Sequence, residues 1–207
     1  MRKGLVPLVV ILIFIAIAGC TEQERYVLIF KGVELHFRGD LNKAVNVPVY
    51  PEKDLIPEML LNETIEKITI AIPNVTKAGY YAVAGYEIAY KLTFIYNSIY
   101  SPFSSPELRE KQNYTCLYYR DFGKKICIGK IIFNEYQNLY GKDNELIIVL
   151  LGEGFANATE IMLNPEKHVI LIKGESFSQE NRKYTDLDLA VDKFLLVLFE
   201  YLANGRV

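Results

Sequence analysis

The residue types that most often carry catalysis are few in this chain and are scattered along it. His36 lies between Glu34 and Arg38 on the polar side of an alternating segment, and His168 follows a turn, so both histidines are expected at the surface. Neither has a neighbouring carboxylate or thiol that would complete a nucleophilic triad. The sequence therefore predicts no cofactor and no metal site. It favours a protein without catalytic activity, although a hydrolase with scattered residues stays open.

Two acidic patterns deserve a chemical interpretation. The run Gly152-Glu153-Gly154 follows a buried apolar strand, where sites in α/β proteins often lie, but it lacks a dinucleotide or P-loop pattern. Asp186, Asp188 and Asp192 could suggest a cation site. Thr185 followed by Asp188 three residues later is also a capping-box pattern, which explains the first two aspartates without a metal.

Two cysteines are spaced as a cross-strand pair. Cys116 and Cys127 lie in two short apolar segments on either side of the turn at 120–123, and symmetric pairing about that turn places them opposite each other. An even pair in an exported protein is expected to form a disulfide, contributing roughly 2–4 kcal/mol. Two free buried thiols are the alternative. A zinc site is disfavoured, because two cysteines and two distant histidines do not form a ligand cluster.

The first twenty residues have the three parts of an export signal. Arg2 and Lys3 precede the apolar run 5–18, which is short for a membrane span, and the segment ends in Ile17-Ala18-Gly19-Cys20. This ending resembles the lipobox of bacterial and archaeal lipoproteins. The resemblance implies that Cys20 receives a lipid, becomes the first mature residue and anchors the protein to the membrane. The alternative is an uncleaved signal anchor, which leaves the domain on the same side.

The remainder of the chain fits a surface protein on the extracytoplasmic face of a cell membrane. Residues 1–20 form the predicted signal, 21–25 a short tether and 26–204 a single globular domain. Without the signal, 21 basic residues of the original 23 face 25 acidic ones, which excludes a typical nucleic-acid-binding surface. Four Asn-x-Thr sequons predict N-glycosylation and fit an archaeal surface protein; their asparagines are Asn62, Asn74, Asn113 and Asn157.

Aromatic residues crowd the segment 79–100, which is long enough for a helix. Tyr86, Tyr90 and Phe94 form one helical stripe, which indicates either core packing or a contact surface for a partner or glycan. Tyr118 and Tyr119, near the tip of the cysteine hairpin, are similar candidates. Glu87 and Lys91 are the only charged residues of the segment, so we expect most of the helix circumference to be covered.

The remaining patterns complete a mixed fold. Strands are predicted at 26–30, 33–38, 67–72 and 145–151, the last buried on both faces, and a hairpin at 159–163 and 168–173. A last, almost entirely apolar helix begins after Thr185 and ends at Asn204-Gly205. The expected fold class is α+β. A mostly antiparallel sheet is covered by about two long apolar helices and carries a disulfide-stapled hairpin; the alternation is too irregular for a doubly wound fold.

These expectations favour a lipid-anchored interaction or envelope-assembly module that binds another envelope protein or itself. The support is the anchor, the two strongly apolar helices and the lack of a catalytic cluster. The alternatives are an extracytoplasmic ligand-binding accessory of a transporter, which a two-lobed cleft would favour, and the scattered hydrolase. Gly-x-Ser-x-Gly and His-Glu-x-x-His motifs are both lacking.

Overall fold

The computed structural model describes residues 26–30, 32–76, 78–95, 114–118, 125–178 and 183–204. The predicted signal peptide, the tether, Cys20, Asn113 and Tyr119 lie outside these ranges. Two long helices and two short ones form within them: α1 Leu41–Ala44, α2 Leu55–Leu60, α3 Ala78–Ile95 and α4 Asp186–Ala203. None of the helices in this part of the chain has the length and apolar content needed to cross a bilayer.

Nine strands lie in the described ranges and form two sheets. In chain order they are β1 Tyr26–Phe30, β2 Val33–Phe37, β3 Val49–Tyr50, β4 Lys67–Pro73, β5 Tyr114–Tyr118, β6 Lys125–Phe133, β7 Glu145–Leu151, β8 Glu160–Asn164 and β9 Val169–Lys173. Strands β1 and β2 form a separate hairpin, and the other seven form one sheet in the order β3-β8-β9-β7-β4-β6-β5. Strand β3 contributes only two residues at one edge.

The prediction of a mostly antiparallel sheet is wrong. The sheet is mostly parallel, because β4 pairs in parallel with both β6 and β7, and β7 pairs in parallel with β9. The two predicted hairpins, β5–β6 and β8–β9, are present but extend this parallel centre. Parallel neighbours need a crossover, usually a helix. Here α3 and β5 connect β4 to β6, while a loop with one 3₁₀ turn at Tyr136–Asn138 connects β6 to β7.

Both long helices cover one face of the sheet, and the β1–β2 hairpin packs on their outer side. The ring of Phe199 on α4 lies 4.8 Å from the ring of Phe30 and 6.3 Å from that of Phe37, both in edge geometry. Helix α4 is therefore enclosed between the sheet and the hairpin, which explains why apolar residues occur around nearly all of it. The opposite face of the sheet is covered in part by the loops containing Leu139 and Phe155.

Local chemistry defines the start of α4 as the sequence predicts. The Thr185 hydroxyl accepts the N–H of Asp188, and the Asp188 carboxylate accepts the N–H of Thr185, which completes a capping box. The central strand β7 also has the predicted bounds and is buried on both faces after Glu145.

The predicted register of the cysteine hairpin is confirmed. Strands β5 and β6 are antiparallel, and Cys116 is the direct partner of Cys127. The side chain of Cys116 lies outside the described set, so no disulfide with both of its sulfur atoms is found among the described side chains. The bond between the two cysteines therefore stays a prediction, resting on their opposed positions.

Candidate functional site

A group of charged side chains lies where α3, α4 and the end of β2 meet. We call Arg38, Glu87, Lys91, Asp188 and Asp192 the buried charge cluster. Lys91 is fully buried, and its ammonium donates hydrogen bonds to the Glu87 carboxylate and, at 2.7 Å, to the backbone carbonyl of His36. The same nitrogen lies 4.4 Å from the centre of the Phe37 ring. These contacts join α3 to the hairpin.

Asp192 is the most deeply placed acid of the cluster. Its side chain is inaccessible to solvent, Oδ2 accepts the N–H of Gly39 at 2.6 Å, and Oδ1 has no partner among the described residues. The pKa of Asp192 is raised to about 8, mainly because burial disfavours the charged carboxylate. The Gly39 N–H and the positive charge of Lys91 lower this pKa, and the negative charges of Glu87 and Asp188 raise it. A Cβ at position 39 would lie 2.8 Å from Oδ2, so glycine permits this approach.

Arg38 and Asp188 lie at the edge of the cluster that is nearest to the surface. The Arg38 Nε donates to Asp188 Oδ1 at 3.0 Å, and the arginine side chain is 42% exposed. The pair lines a shallow groove of about 350 Å³ beside the first turns of α3; the other lining residues are Gly79, Tyr80 and Val83. Within the described residues, no three His, Cys, Asp or Glu side chains are placed to hold a metal ion. The cluster joins α3, α4 and the end of β2.

The Gly152 turn lies at the carboxyl end of the central strand and is filled with protein. The N–H of Gly152 donates to the Tyr81 hydroxyl at 3.0 Å, and a Cβ there would lie 2.2 Å from the Phe177 ring. Glu153 accepts the N–H of Phe177 at 3.3 Å. Burial is the main cause that raises the pKa of Tyr81. This arrangement is a packed turn in which glycine is required by the close approach of Phe177.

The aromatic stripe of α3 is largely on the surface. Tyr86 is 68% exposed and Tyr90 46% exposed, and their rings stack with centres 6.0 Å apart and planes 10° apart. The interpretation that these two tyrosines pack in the core is therefore wrong. Val83 is exposed on the same helical face, and we call Val83, Tyr86 and Tyr90 the tyrosine stripe. The side chains of Phe94 and Tyr118 lie outside the described set.

The position of the α3 charges corrects the sequence-based inference. Because Glu87 and Lys91 are its only charged residues, most of the helix circumference is expected to be covered, yet Lys91 is fully buried and the tyrosines face solvent. The sequence did not reveal the partners of Lys91, because β2 and α4 are distant along the chain. One signal was present: Asp188 and Asp192 are one helical turn apart in an otherwise apolar helix.

The remaining predicted positions are on the surface. The described sequon asparagines Asn62, Asn74 and Asn157 are all exposed and lie outside the strands and helices. His36 is exposed on β2. Nδ1 of His168 hydrogen-bonds the Lys142 carbonyl at 2.8 Å. Within the described residues, neither imidazole ring contacts a carboxylate, hydroxyl or thiol that would begin a catalytic set.

Comparison of the chain with protein-family models, with curated proteins and with solved structures finds no match.

Proposed function

We propose that this protein is a lipid-anchored domain on the extracytoplasmic face of a cell membrane, and that it binds another envelope protein or a second copy of itself. The anchor is the lipid on Cys20 that the signal sequence implies. The contact surface is the tyrosine stripe of α3. The single observation that carries the binding role is the exposure of the paired Tyr86 and Tyr90 rings.

The chemistry of the stripe supports a protein partner. Tyrosine is enriched at protein interfaces, since its ring provides apolar contact area and its hydroxyl a hydrogen bond. The two rings are already stacked, so binding would immobilise less side-chain freedom than two independent rings would lose. Val83, one turn before Tyr86, extends the apolar surface along the same helical face.

The two alternative functions have less support. The transporter-accessory alternative depends on a two-lobed cleft, and the described residues form one main sheet with its helices on a single face. The hydrolase alternative depends on catalytic groups that converge in space. In the described ranges the charged residues that do converge form the buried charge cluster, and their hydrogen bonds connect α3, α4 and the hairpin to one another.

The anchor is tested by replacing its lipid acceptor. The Cys20→Ser variant should move from the membrane fraction to the soluble fraction, because a two-chain lipid is what holds such a domain on a bilayer. Fractionation and intact-mass measurement of both proteins report the result. A Cys20→Ser protein that stays with the membrane would contradict the lipid anchor.

The binding role is tested by native mass spectrometry of the full chain, extracted from its own membrane in mild detergent. A particle heavier than one lipidated and glycosylated chain is expected, and its surplus mass identifies a partner or a second copy. The double variant Tyr86→Ala/Tyr90→Ala should reduce that particle to a single chain and lower its melting temperature by only a few degrees.

The matched control for the double variant is Tyr140→Ala. Tyr140 is 69% exposed, almost the same as Tyr86, and follows the loop residue Leu139 on the opposite face of the sheet. This variant should keep the heavier particle. If the double variant keeps it too, the tyrosine stripe is not the contact surface.

A further inference from the structure

We infer that the outer face of the β1–β2 hairpin docks on the lipid bilayer and sets the orientation of the domain on the membrane. The inference rests on the lipid anchor of the proposed function and goes beyond it by naming a second contact with the membrane. The residues that make the contact are Val27 and Ile29 of β1.

The register of the hairpin separates two faces. Residues directly opposite in an antiparallel pair point to the same side, so Val27 shares a face with His36, and Ile29 with Glu34. The other face holds Phe30, Leu35 and Phe37, which are buried against the helices. The outer face is therefore unpacked by the rest of the described chain.

The outer face is unusually apolar where it is nearest to the anchor. Ile29 is 70% exposed and Val27 is 40% exposed, and both belong to the first strand after the tether. Large aliphatic side chains enter the interfacial layer of a bilayer favourably, while His36 on the second strand provides a polar group suited to the headgroups. Glu34 opposes binding to anionic lipid, so the contact is expected on zwitterionic lipid as well.

The length of the chain before β1 determines what can cover this face. Five residues lie between Cys20 and Tyr26, which limits the distance between their Cα atoms to about 20 Å even when the chain is fully extended. A lipid on Cys20 therefore holds β1 close to the bilayer. Docking becomes an intramolecular event with a high effective concentration, so a weak contact through two aliphatic side chains is sufficient.

The same geometry places the proposed partner. The hairpin and α3 both lie on the helix-covered side of the sheet, joined by the hydrogen bond from Lys91 to the His36 carbonyl. A docked hairpin would hold the tyrosine stripe of α3 near the membrane. The partner of the stripe is then expected to be a protein of the same membrane.

The chain contains no tryptophan, which allows a single-reporter experiment. Ile29→Trp and the matched control Tyr140→Trp replace residues of almost equal exposure on opposite sides of the domain. Each full-length lipidated protein is reconstituted in phosphatidylcholine vesicles whose acyl chains carry bromine. Excitation selective for tryptophan then reports its depth, because bromine quenches only a ring in contact with the lipid.

The expected result is a loss of most of the Ile29→Trp emission in brominated vesicles and none of the Tyr140→Trp emission. Vesicle-bound protein whose Ile29→Trp emission is unquenched and remains accessible to iodide in water overturns the docking and leaves the anchor intact. Emission shielded from both bromine and iodide also overturns it, since a protein then covers the face. Protein that fails to remain on vesicles overturns the anchor and the docking together.

Discussion

Helices α3 and α4 have similar lengths and similar apolar content, yet they differ in which side chains they bury and which they expose. In α4, aromatic and aliphatic residues such as Phe194 and Phe199 are buried, and so are Asp188 and Asp192. In α3, the tyrosine stripe faces solvent while the ammonium group of Lys91 is fully buried. The two helices pack against each other on the same face of the sheet.

The difference follows from what covers each helix. The sheet and the hairpin enclose α4, so most of its residues are buried. Its acids Asp188 and Asp192 are tolerated there because Arg38 and the N–H of Gly39, just after β2, donate hydrogen bonds to them. Only one side of α3 is covered, and Lys91 lies on that side because it neutralises part of the cluster. The charges of both apolar helices thus bind the end of the β1–β2 hairpin, while Tyr86 and Tyr90 of α3 remain exposed to solvent.

The largest expected effect is a pH dependence of stability that arises from Asp192. Its pKa is raised from 3.8 to about 8 in the folded protein, so between these values the folded state holds a proton that the unfolded state has released. Its contribution is full below about pH 4 and is lost as pH rises through about 8, with a slope of up to about 1.4 kcal/mol per pH unit. Urea denaturation at several pH values measures it.

Asp192→Asn isolates this contribution. The amide keeps an oxygen that can accept the Gly39 N–H but does not titrate, so the slope between pH 4 and 8 should flatten. The other ionisable groups that face Asp192, which are Lys91, Glu87 and Asp188, remain in both proteins. Parallel curves for the two proteins would show that folded Asp192 holds no extra proton between pH 4 and 8, which would contradict its raised pKa.

The next effect compares one aromatic residue from each helix. Phe199→Ala should lower the free energy of unfolding by about 3–5 kcal/mol, because it empties a site enclosed by the Phe30 and Phe37 rings. Tyr86→Ala should cost about 1 kcal/mol, since it removes a stacked but mostly exposed ring. Equal losses in chemical denaturation would mean that α3 is as enclosed as α4 in solution.

The sequence predicts the elements well where local patterns decide them. The bounds of β7, the cap formed by Thr185 and Asp188, and the register of Cys116 with Cys127 all follow from short stretches of residues. The strand order does not follow, because the parallel centre depends on which distant strands become neighbours. In particular, the crossover from β6 to β7 is made by a loop, so the sequence has no helical pattern there that would predict it.

The candidate sites divide in the same way. The sequence finds the Tyr86 and Tyr90 stripe from its helical spacing but leaves core and surface open, since both use the same periodicity. It finds Glu87 and Lys91 as a pair on one helix but does not show that Lys91 is buried, because a lysine is rarely buried unless it is paired. The partner that the sequence does not reveal is the backbone carbonyl of His36 on β2, 55 residues away, which accepts a hydrogen bond from the Lys91 ammonium.

Replacing Lys91 tests that burial directly. Lys91→Met keeps the length of the side chain but leaves the Glu87 carboxylate without its cation and the His36 carbonyl without its donor. Breaking a buried pair costs about 3–5 kcal/mol, and we expect about 3 kcal/mol, because Glu87 keeps 13% exposure and can turn partly to water.

The control is Lys53→Met, whose exposed ammonium lies 3.9 Å from Glu200, and whose loss should cost about 0.5 kcal/mol or less. Replacing both buried partners in Lys91→Met/Glu87→Leu should recover part of the loss, since no uncompensated charge then remains in the pair. Equal denaturation midpoints for Lys91→Met and Lys53→Met would mean that Lys91 reaches water in solution. Both the charge of Lys91 and the tyrosines of α3 would then lie on the surface.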